Sequence, residues 1–222
     1  MKVEGNRGLV GSRIIRLGPI CIKYYGVHKR LPNIPAITRL RREVIGAKLL
    51  SSRHVVVARP WIWSKRGIWL VRRWYPGVHP SRQHQLTRSD VYAFANWLSE
   101  HRALGNSVPF RSKADLAIRV RFSMIGVQPP NAPLVIAVLQ GNDLLHADLI
   151  PENILIGNKK PIVLDTESVS VGHLAWDVAQ ILTYIFQTDK ADPIAFEFLD
   201  KIGLNEADRE LVWALVNLFK KS

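Results

Sequence analysis

The chain has 222 residues, 47% hydrophobic and 22% charged, which is enough apolar side chain to bury a core in one large domain or two small lobes and excludes a disordered chain. Its 31 Lys and Arg against 18 Asp and Glu leave a net charge of +13, and the excess sits in one half. Residues 1–90 hold 19 basic and 3 acidic side chains, whereas residues 91–222 hold 12 and 15. Such asymmetry is expected where one half faces phosphates, an anionic membrane or nucleic acid. No repeat or low-complexity tract interrupts the chain, so solenoid and fibrous folds are excluded. MKVEGNRGLVGSR lacks the apolar stretch of a signal peptide, and runs such as PLVIAVL (133–139) fall far short of the ~18 residues that span a bilayer. The expected location is therefore the cytoplasm, with a membrane surface within reach of the basic half. The lone Cys21 reads as a small core side chain.

In chain order, GNRGLVG carries glycines at 5, 8 and 11, and SRIIRLGPICIKYY (12–25) predicts two strands folded at Gly18-Pro19. TRLRREVIGAKLL (38–50) puts Leu40, Val44, Ala47 and Leu50 on one helical face, with Thr38 placed to cap it. HVVVARPWIW and GIWLVRRWYPG predict a hairpin ending at Pro76-Gly77. From Ser89 the pattern turns helical: SDVYAFANWLSEHRALG has a serine at its start and Gly105 at its end. Helices are also expected over 112–125, 132–140, HLAWDVAQILTYIF, PIAFEFLDKIG and EADRELVWALVNLFKK. The natural division is a β-rich lobe over 1–77, a linker over 78–88 and a mainly helical lobe over 89–222.

LLHADLIPENILIGNKKPIVLDTESV (144–169) sets charged and amide groups among apolar runs. NILI and PIVL flank GNKK and predict a tight hairpin. A hairpin brings its open ends together, so Asp148 and Asn153 are expected beside Asp165. Two carboxylates and an amide oxygen suit Mg²⁺, and a carboxylate that is not a ligand can accept the proton of an attacking hydroxyl. The spacing of His146, Asp148 and Asn153 matches the H-x-D-x-x-x-x-N loop of kinases.

HADLIPENIL, VLDTES and HLAWDVAQIL together resemble the aminoglycoside phosphotransferase and choline kinase-like family. That family's pattern is close to HGDLxPxNIL, a strand ending in D-x-E, and a helix with an internal Asp. The resemblance is strong over 144–182. It implies an α+β, two-lobed protein-kinase-like fold and an ATP- and Mg²⁺-dependent transfer of a phosphoryl group to a hydroxyl. By resemblance Asp148 is the base, Asn153 and Asp165 hold Mg²⁺, Glu167 is a further ligand or a solvated loop carboxylate, and His146 and Asp177 are structural supports. Ala147 stands where the family commonly has Gly, which stiffens the loop and removes no functional group.

A kinase site demands a phosphate-holding lysine on a strand of the β-rich lobe and a helix carboxylate to position it. Lys23 in ICIKYY and Glu43 in RLRREVIG fill these places. Because Lys23 removes charge rather than core packing, its replacement by alanine is expected to spare the fold. Backbone amides around Gly5, Gly8 and Gly11 are expected over the ATP phosphates, although their spacing is not G-x-G-x-x-G. WLVRRWYPG is expected to bring Arg73 to Tyr75 to the adenine, with a plain edge strand as the competing reading. The aromatics Trp97, Phe122, Trp176, Tyr184, Phe186 and Trp213 sit at helical spacing and read as core rather than a cation cage. The basic half argues for an anionic acceptor, or one on an anionic surface. A protein kinase of minimal size remains open, as does a nucleic-acid-associated kinase-fold protein using Arg39, Arg41, Arg42, Arg72 and Arg73.

Overall fold

The structure is a computed structural model that describes residues 5–7, 12–26, 35–66, 68–80, 86–108, 133–157 and 159–221. The first half contains β1 (Gly5–Arg7), β2 (Ser12–Leu17), β3 (Ile20–Tyr25), helix α1 (Ala36–Leu49), β4 (Val56–Val57), β5 (Pro60–Trp63) and β6 (Trp69–Arg73). Five of these strands form one antiparallel sheet in the order β1-β2-β3-β6-β5. Gly18, at φ 58°, supplies the left-handed turn that folds β2 onto β3. The register sets Lys23 opposite Ile14 on β2 and Leu70 on β6.

Helix α1 starts before the predicted point. Pro35 is its N-cap, and the Pro35 carbonyl accepts from the Thr38 amide at 2.9 Å, so Thr38 lies inside the first turn and does not cap. Leu40, Ala47 and Leu50 are buried as their spacing predicts, with Val44 packed beside them. Val56–Val57 does not join the predicted hairpin. It runs parallel to β9 (Pro161–Val163), Val57 opposite Val163, because Val55 and Val57 are buried in the large core rather than on the sheet. The hairpin itself is β5 and β6, and its second strand stops at Arg73. Val78 then bridges Ile156, exchanging both backbone hydrogen bonds at 3.2 and 2.8 Å.

The second half holds α2 (Arg88–Ser99), α3 (Pro133–Leu139), β7 (Asp143–Leu145), β8 (Ile154–Ile156), β9, β10 (Ser170–Gly172), α4 (Ala175–Gln180), α5 (Pro193–Ile202) and α6 (Glu206–Phe219). Thr87 caps α2, not Ser89. Its hydroxyl accepts from the Asp90 amide while Asp90 accepts from the Thr87 amide, a reciprocal box. Helix α4 continues as a π-helical turn over Ile181–Phe186. The helix expected over 112–125 lies outside the described residues.

One large cluster forms the core, and Trp97, Trp176 and Phe198 within it are fully buried, each stabilising by roughly 1.5–3 kcal/mol. Trp97 also donates from Nε1 to the Leu50 carbonyl at 2.9 Å, tying α2 to the end of α1. Tyr184, Phe186 and Trp213 pack against this cluster, so these aromatics build core, and Phe122 lies outside the described residues. Cys21 is buried. The chain is thus α+β, with a β-rich N-terminal region and a helical C-terminal one. Among the described residues no helix is long and apolar enough to cross a membrane.

Candidate active site

Strands β7 and β10 pair, and between them the chain makes a loop at 146–153, the β8–β9 hairpin and a 3₁₀ turn at Thr166–Ser168. Side chains, one of them the loop's own His146 ring, accept four of the loop's amides in succession. Asp177 takes His146 N on Oδ2 at 2.7 Å and Ala147 N on Oδ1 at 2.9 Å. The His146 ring takes Asp148 N on Nδ1 at 3.3 Å, and Gln180 Oε1 takes Leu149 N at 2.9 Å. Asp177 and Gln180 are three residues apart on α4 and so share a face.

His146 Nε2 lies 2.9 Å from the Leu164 carbonyl, so the ring is neutral with its proton on Nε2. Burial holds its pKa below the usual value. Burial likewise pushes the Asp177 carboxyl up to about 7, against the two amides that pull it down. Ala147 has φ 66°, in the left-handed region that glycine enters freely. The family's usual Gly therefore answers a backbone demand, which Ala147 meets with strain.

Asn153 ends the 3₁₀ turn Pro151–Asn153 and turns its Nδ2 to Asp148, donating to Oδ2 at 3.0 Å and to the backbone oxygen at 2.9 Å. This orients the Asp148 carboxylate and reserves the Asn153 amide oxygen for another partner. Leu164 N donates to the Asn153 carbonyl at 2.8 Å, which closes the open end of the hairpin beside Asp165. Asp165 itself is left-handed at φ 53°, the kind of backbone outlier that the surrounding structure must enforce.

Lys23 Nζ is 2.7 Å from both Glu43 Oε2 and Asp165 Oδ1, and 3.5 Å from Glu167 Oε2. Arg39 Nη2 reaches both oxygens of Glu167 at 2.9 and 3.2 Å, and Arg72 Nη1 stands 3.5 Å from Glu43 Oε1. The Tyr25 hydroxyl donates to Glu43. Three carboxylates thus meet Lys23, Arg39 and Arg72, and the buried Arg42 also acts on Glu167, so each of these carboxylates has a cationic partner. Burial alone would release the Lys23 proton, but Asp165, Glu167 and Glu43 outweigh it and hold the ammonium charged. Burial likewise works against the Asp165 carboxylate, yet Lys23 keeps its pKa below the usual range. For Glu167 burial wins over Lys23 and Arg39, and the pKa is raised.

One carboxylate oxygen from each of Glu43, Asp165 and Glu167 lies within 4.8 Å of the others. Glu43 is fully buried among Lys23, Tyr25 and Arg72, and Glu167 is held by Arg39. Asp165, about a third exposed at 31%, and the Asn153 amide oxygen are the hard donors best placed to take a divalent cation.

Gly5 lies on β1 opposite Ile15, while Gly8 and Gly11 lie outside the described residues. Arg73 ends β6 exposed, Tyr75 is half-buried beyond it, and Trp74 between them donates from its amide to the Pro19 carbonyl at 2.8 Å. Sequence reasoning missed Gln180, Arg39, Arg72 and Tyr25 as parts of this site. Gln180 had a signal, one turn beyond Asp177 on the same helical face. Arg39 and Arg72 were hidden in a basic half where any arginine reads as surface. His79 was missed too: its Nδ1 lies 2.9 Å from the carbonyls of Pro151 and Ile154, bracing the 3₁₀ turn.

Residues 29–209 match the phosphotransferase enzyme family. No curated protein matches in sequence. Among solved structures, choline kinase LicA from Streptococcus pneumoniae superposes with a TM-score of 0.63 at 16% identity, covering 100% of this chain and 85% of that one. Aminoglycoside phosphotransferase APH(3'')-Id from Streptomyces rimosus gives 0.65 at 16% identity, covering 97% and 92%. The streptomycin-ATP-APH(2")-IIa ternary complex gives 0.63 at 14% identity, covering 99% and 88%. These likenesses establish a protein-kinase-like fold.

Proposed function

From the premise that the chain belongs to the phosphotransferase enzyme family, and so is a phosphotransferase acting on hydroxyl groups, we propose that it moves the γ-phosphoryl group of ATP to a hydroxyl of a small-molecule, lipid or sugar acceptor. The observation that carries this is the meeting at Lys23 Nζ of a strand lysine, the α1 carboxylate Glu43 and the post-hairpin carboxylate Asp165, each at 2.7 Å. Lys23 holds the phosphates, and Glu43, with Tyr25 and Arg72 behind it, fixes Lys23. Asp148 accepts the proton of the acceptor hydroxyl as that oxygen bonds to the γ-phosphorus and the bond from phosphorus to the bridging oxygen breaks, leaving ADP. Asn153 and Asp165, with Glu167 at hand, would hold Mg²⁺, and the ion when bound would neutralise phosphate charge. His146, Asp177 and Gln180 keep the Asp148 loop in place. Amides of the Gly5, Gly8 and Gly11 segment and the backbone from Arg73 to Tyr75 are assigned to the phosphates and the adenine, with the lobes dividing over 78–88 and the enzyme in the cytoplasm.

Known members of this fold include a choline kinase and enzymes bound to streptomycin or gentamicin. A cationic acceptor is disfavoured here by the basic half, with 19 Lys and Arg against 3 Asp and Glu over residues 1–90. A nucleic-acid-binding role loses support because Arg39, Arg42 and Arg72, three of the five arginines it would use, are buried. The test is a screen for acceptor-dependent ADP release with Mg²⁺ across sugar, lipid, amino-alcohol, nucleoside and protein acceptors. Release that needs Mg²⁺ and disappears in Asp165→Ala is expected. Release unchanged by Mg²⁺ removal or by that substitution contradicts the assignment.

A further inference from the structure

The five-stranded sheet has two faces, and the site uses one. Lys23, Tyr25 and Leu70 are buried on the side of α1. Alternation turns their neighbours to the opposite face, where Ile15, Ile22, Val71 and Ile62 form one cross-strand row over β2, β3, β6 and β5. The rows on either side run Arg13, Tyr24, Trp69 and Leu17, Ile20, Arg73, which puts an arginine at two opposite corners. None of these side chains is buried, and none belongs to either hydrophobic cluster.

The edge is as apolar as the face. On β5, Trp61, Ile62 and Trp63 are 55%, 60% and 44% exposed, and Ile68 across the turn is 49% exposed. Scattered exposed hydrophobics need no explanation, but a contiguous apolar face with an open edge strand marks an interaction surface. Charge decides its partner. Lys65 and Arg66 on the β5–β6 turn are exposed, as are Arg13 and Arg73, and no strand of the sheet carries Asp or Glu.

An aliphatic centre flanked by Trp and Tyr and rimmed, among the described residues, by cations alone is complementary to one kind of surface, a bilayer with anionic headgroups. There aromatic rings settle at headgroup depth, basic side chains meet the phosphates, and the aliphatic row leaves water. A nucleic acid would pair with the cations but leave the aliphatic row exposed. We infer that this outer face of the sheet docks the protein onto an anionic phospholipid bilayer. Docking and phosphoryl transfer use opposite faces, so either can fail without the other.

The experiment is vesicle flotation of the full chain without nucleotide, using phosphatidylcholine alone and phosphatidylcholine mixed with phosphatidylglycerol. Binding to the mixed vesicles only is expected, with tryptophan fluorescence quenched by brominated lipid. Lys65→Ala with Arg66→Ala weakens binding roughly twenty- to thirtyfold, at about 1 kcal/mol per basic side chain. Ile62→Asp weakens it about tenfold or more. All three positions are exposed, and unchanged denaturation midpoints verify that the variants fold. Absence of binding to the mixed vesicles, equal binding to neutral ones, or binding indifferent to Ile62→Asp overturns the inference. Self-association abolished by Ile62→Asp, without vesicle binding, also overturns it and identifies a second copy as the occupant.

Discussion

Lys23 is 1% exposed and bonded to two carboxylates, which reverses the expectation that its removal spares the fold. Lys23→Ala leaves Glu43, Asp165 and Glu167 facing one another without their shared cation. Breaking such a buried set costs about 3–5 kcal/mol, so urea denaturation should show a large loss of stability alongside lost turnover. An inactive Lys23→Ala therefore says little by itself about phosphate binding. Ala147 predicts a change of opposite sign. Its left-handed backbone costs about 1–2 kcal/mol, partly offset in glycine by a more flexible unfolded chain, so Ala147→Gly should stabilise by about 1 kcal/mol. A denaturation midpoint that falls would show that the loop does not hold this conformation.

His146 gives the loop a pH dependence with a defined sign. Its folded pKa lies below the unfolded value of about 6.5, so its contribution is present above that value and lost as pH falls through it toward the folded one. Thermal midpoints measured from about pH 7.5 down to 5 should drop more steeply for the wild type than for His146→Asn, which does not titrate there. Equal slopes would mean that the ring is not the buried neutral acceptor of the Asp148 amide.

At the scale of elements, α1 is what joins the basic half to the loop. Gly46 lets it lie directly on the 3₁₀ turn after Asp165, where an added Cβ would meet the Thr166 carbonyl oxygen at 2.4 Å. Thr166 Oγ1 donates to the Glu43 carbonyl at 2.8 Å, and Arg42 reaches the Val169 carbonyl at 2.7 Å. Gly46→Ala raises helix propensity by about 1 kcal/mol, yet here it should destabilise by about 1–3 kcal/mol and raise KM for ATP, because Glu43 moves with the helix. A stabilised variant with unchanged KM would show that α1 does not depend on this close approach.

The elements also show what local pattern could reveal. Periodicity located α1, the β2–β3 turn and the β8–β9 hairpin, since each is decided by spacing and turn residues nearby. It misassigned Val56–Val57, whose partner strand is more than a hundred residues away, and it put the caps of α1 and α2 on Thr38 and Ser89. Pro35 and Thr87 sit just ahead of those positions and won by backbone geometry and by the reciprocal bond to Asp90. In the site, motif spacing picked out Asp148 and Asn153, whose atoms do meet, and the demand of a kinase site for a strand lysine and a helix carboxylate picked out Lys23 and Glu43, which also meet. The pairing of Arg39 with Glu167 was illegible, because it depends on how two distant segments dock.

For the molecule as a whole, charge is segregated by depth as well as along the chain. Part of the basic excess turns inward to neutralise Glu43, Asp165 and Glu167, and part remains on the outer face of the sheet with Arg13, Lys65 and Arg66. The inward part pairs with the three carboxylates of the proposed site, while the outward part has no acid among the strands to meet it. A bulk count of +13 could not separate the two.

Asp148, held by Asn153 and by four side-chain-bound amides, is proposed to take the acceptor proton during phosphoryl transfer. Asp148→Asn is the cleanest probe, because an amide oxygen can still accept from Asn153 while basicity is lost. The measurement is kcat for Mg²⁺-dependent transfer of the ATP γ-phosphoryl group to the acceptor found by screening, made on variants with matching denaturation midpoints. A fall in kcat of about 10²–10⁴-fold with little change in KM for ATP is predicted. Wild-type kcat in Asp148→Asn would contradict this role for Asp148.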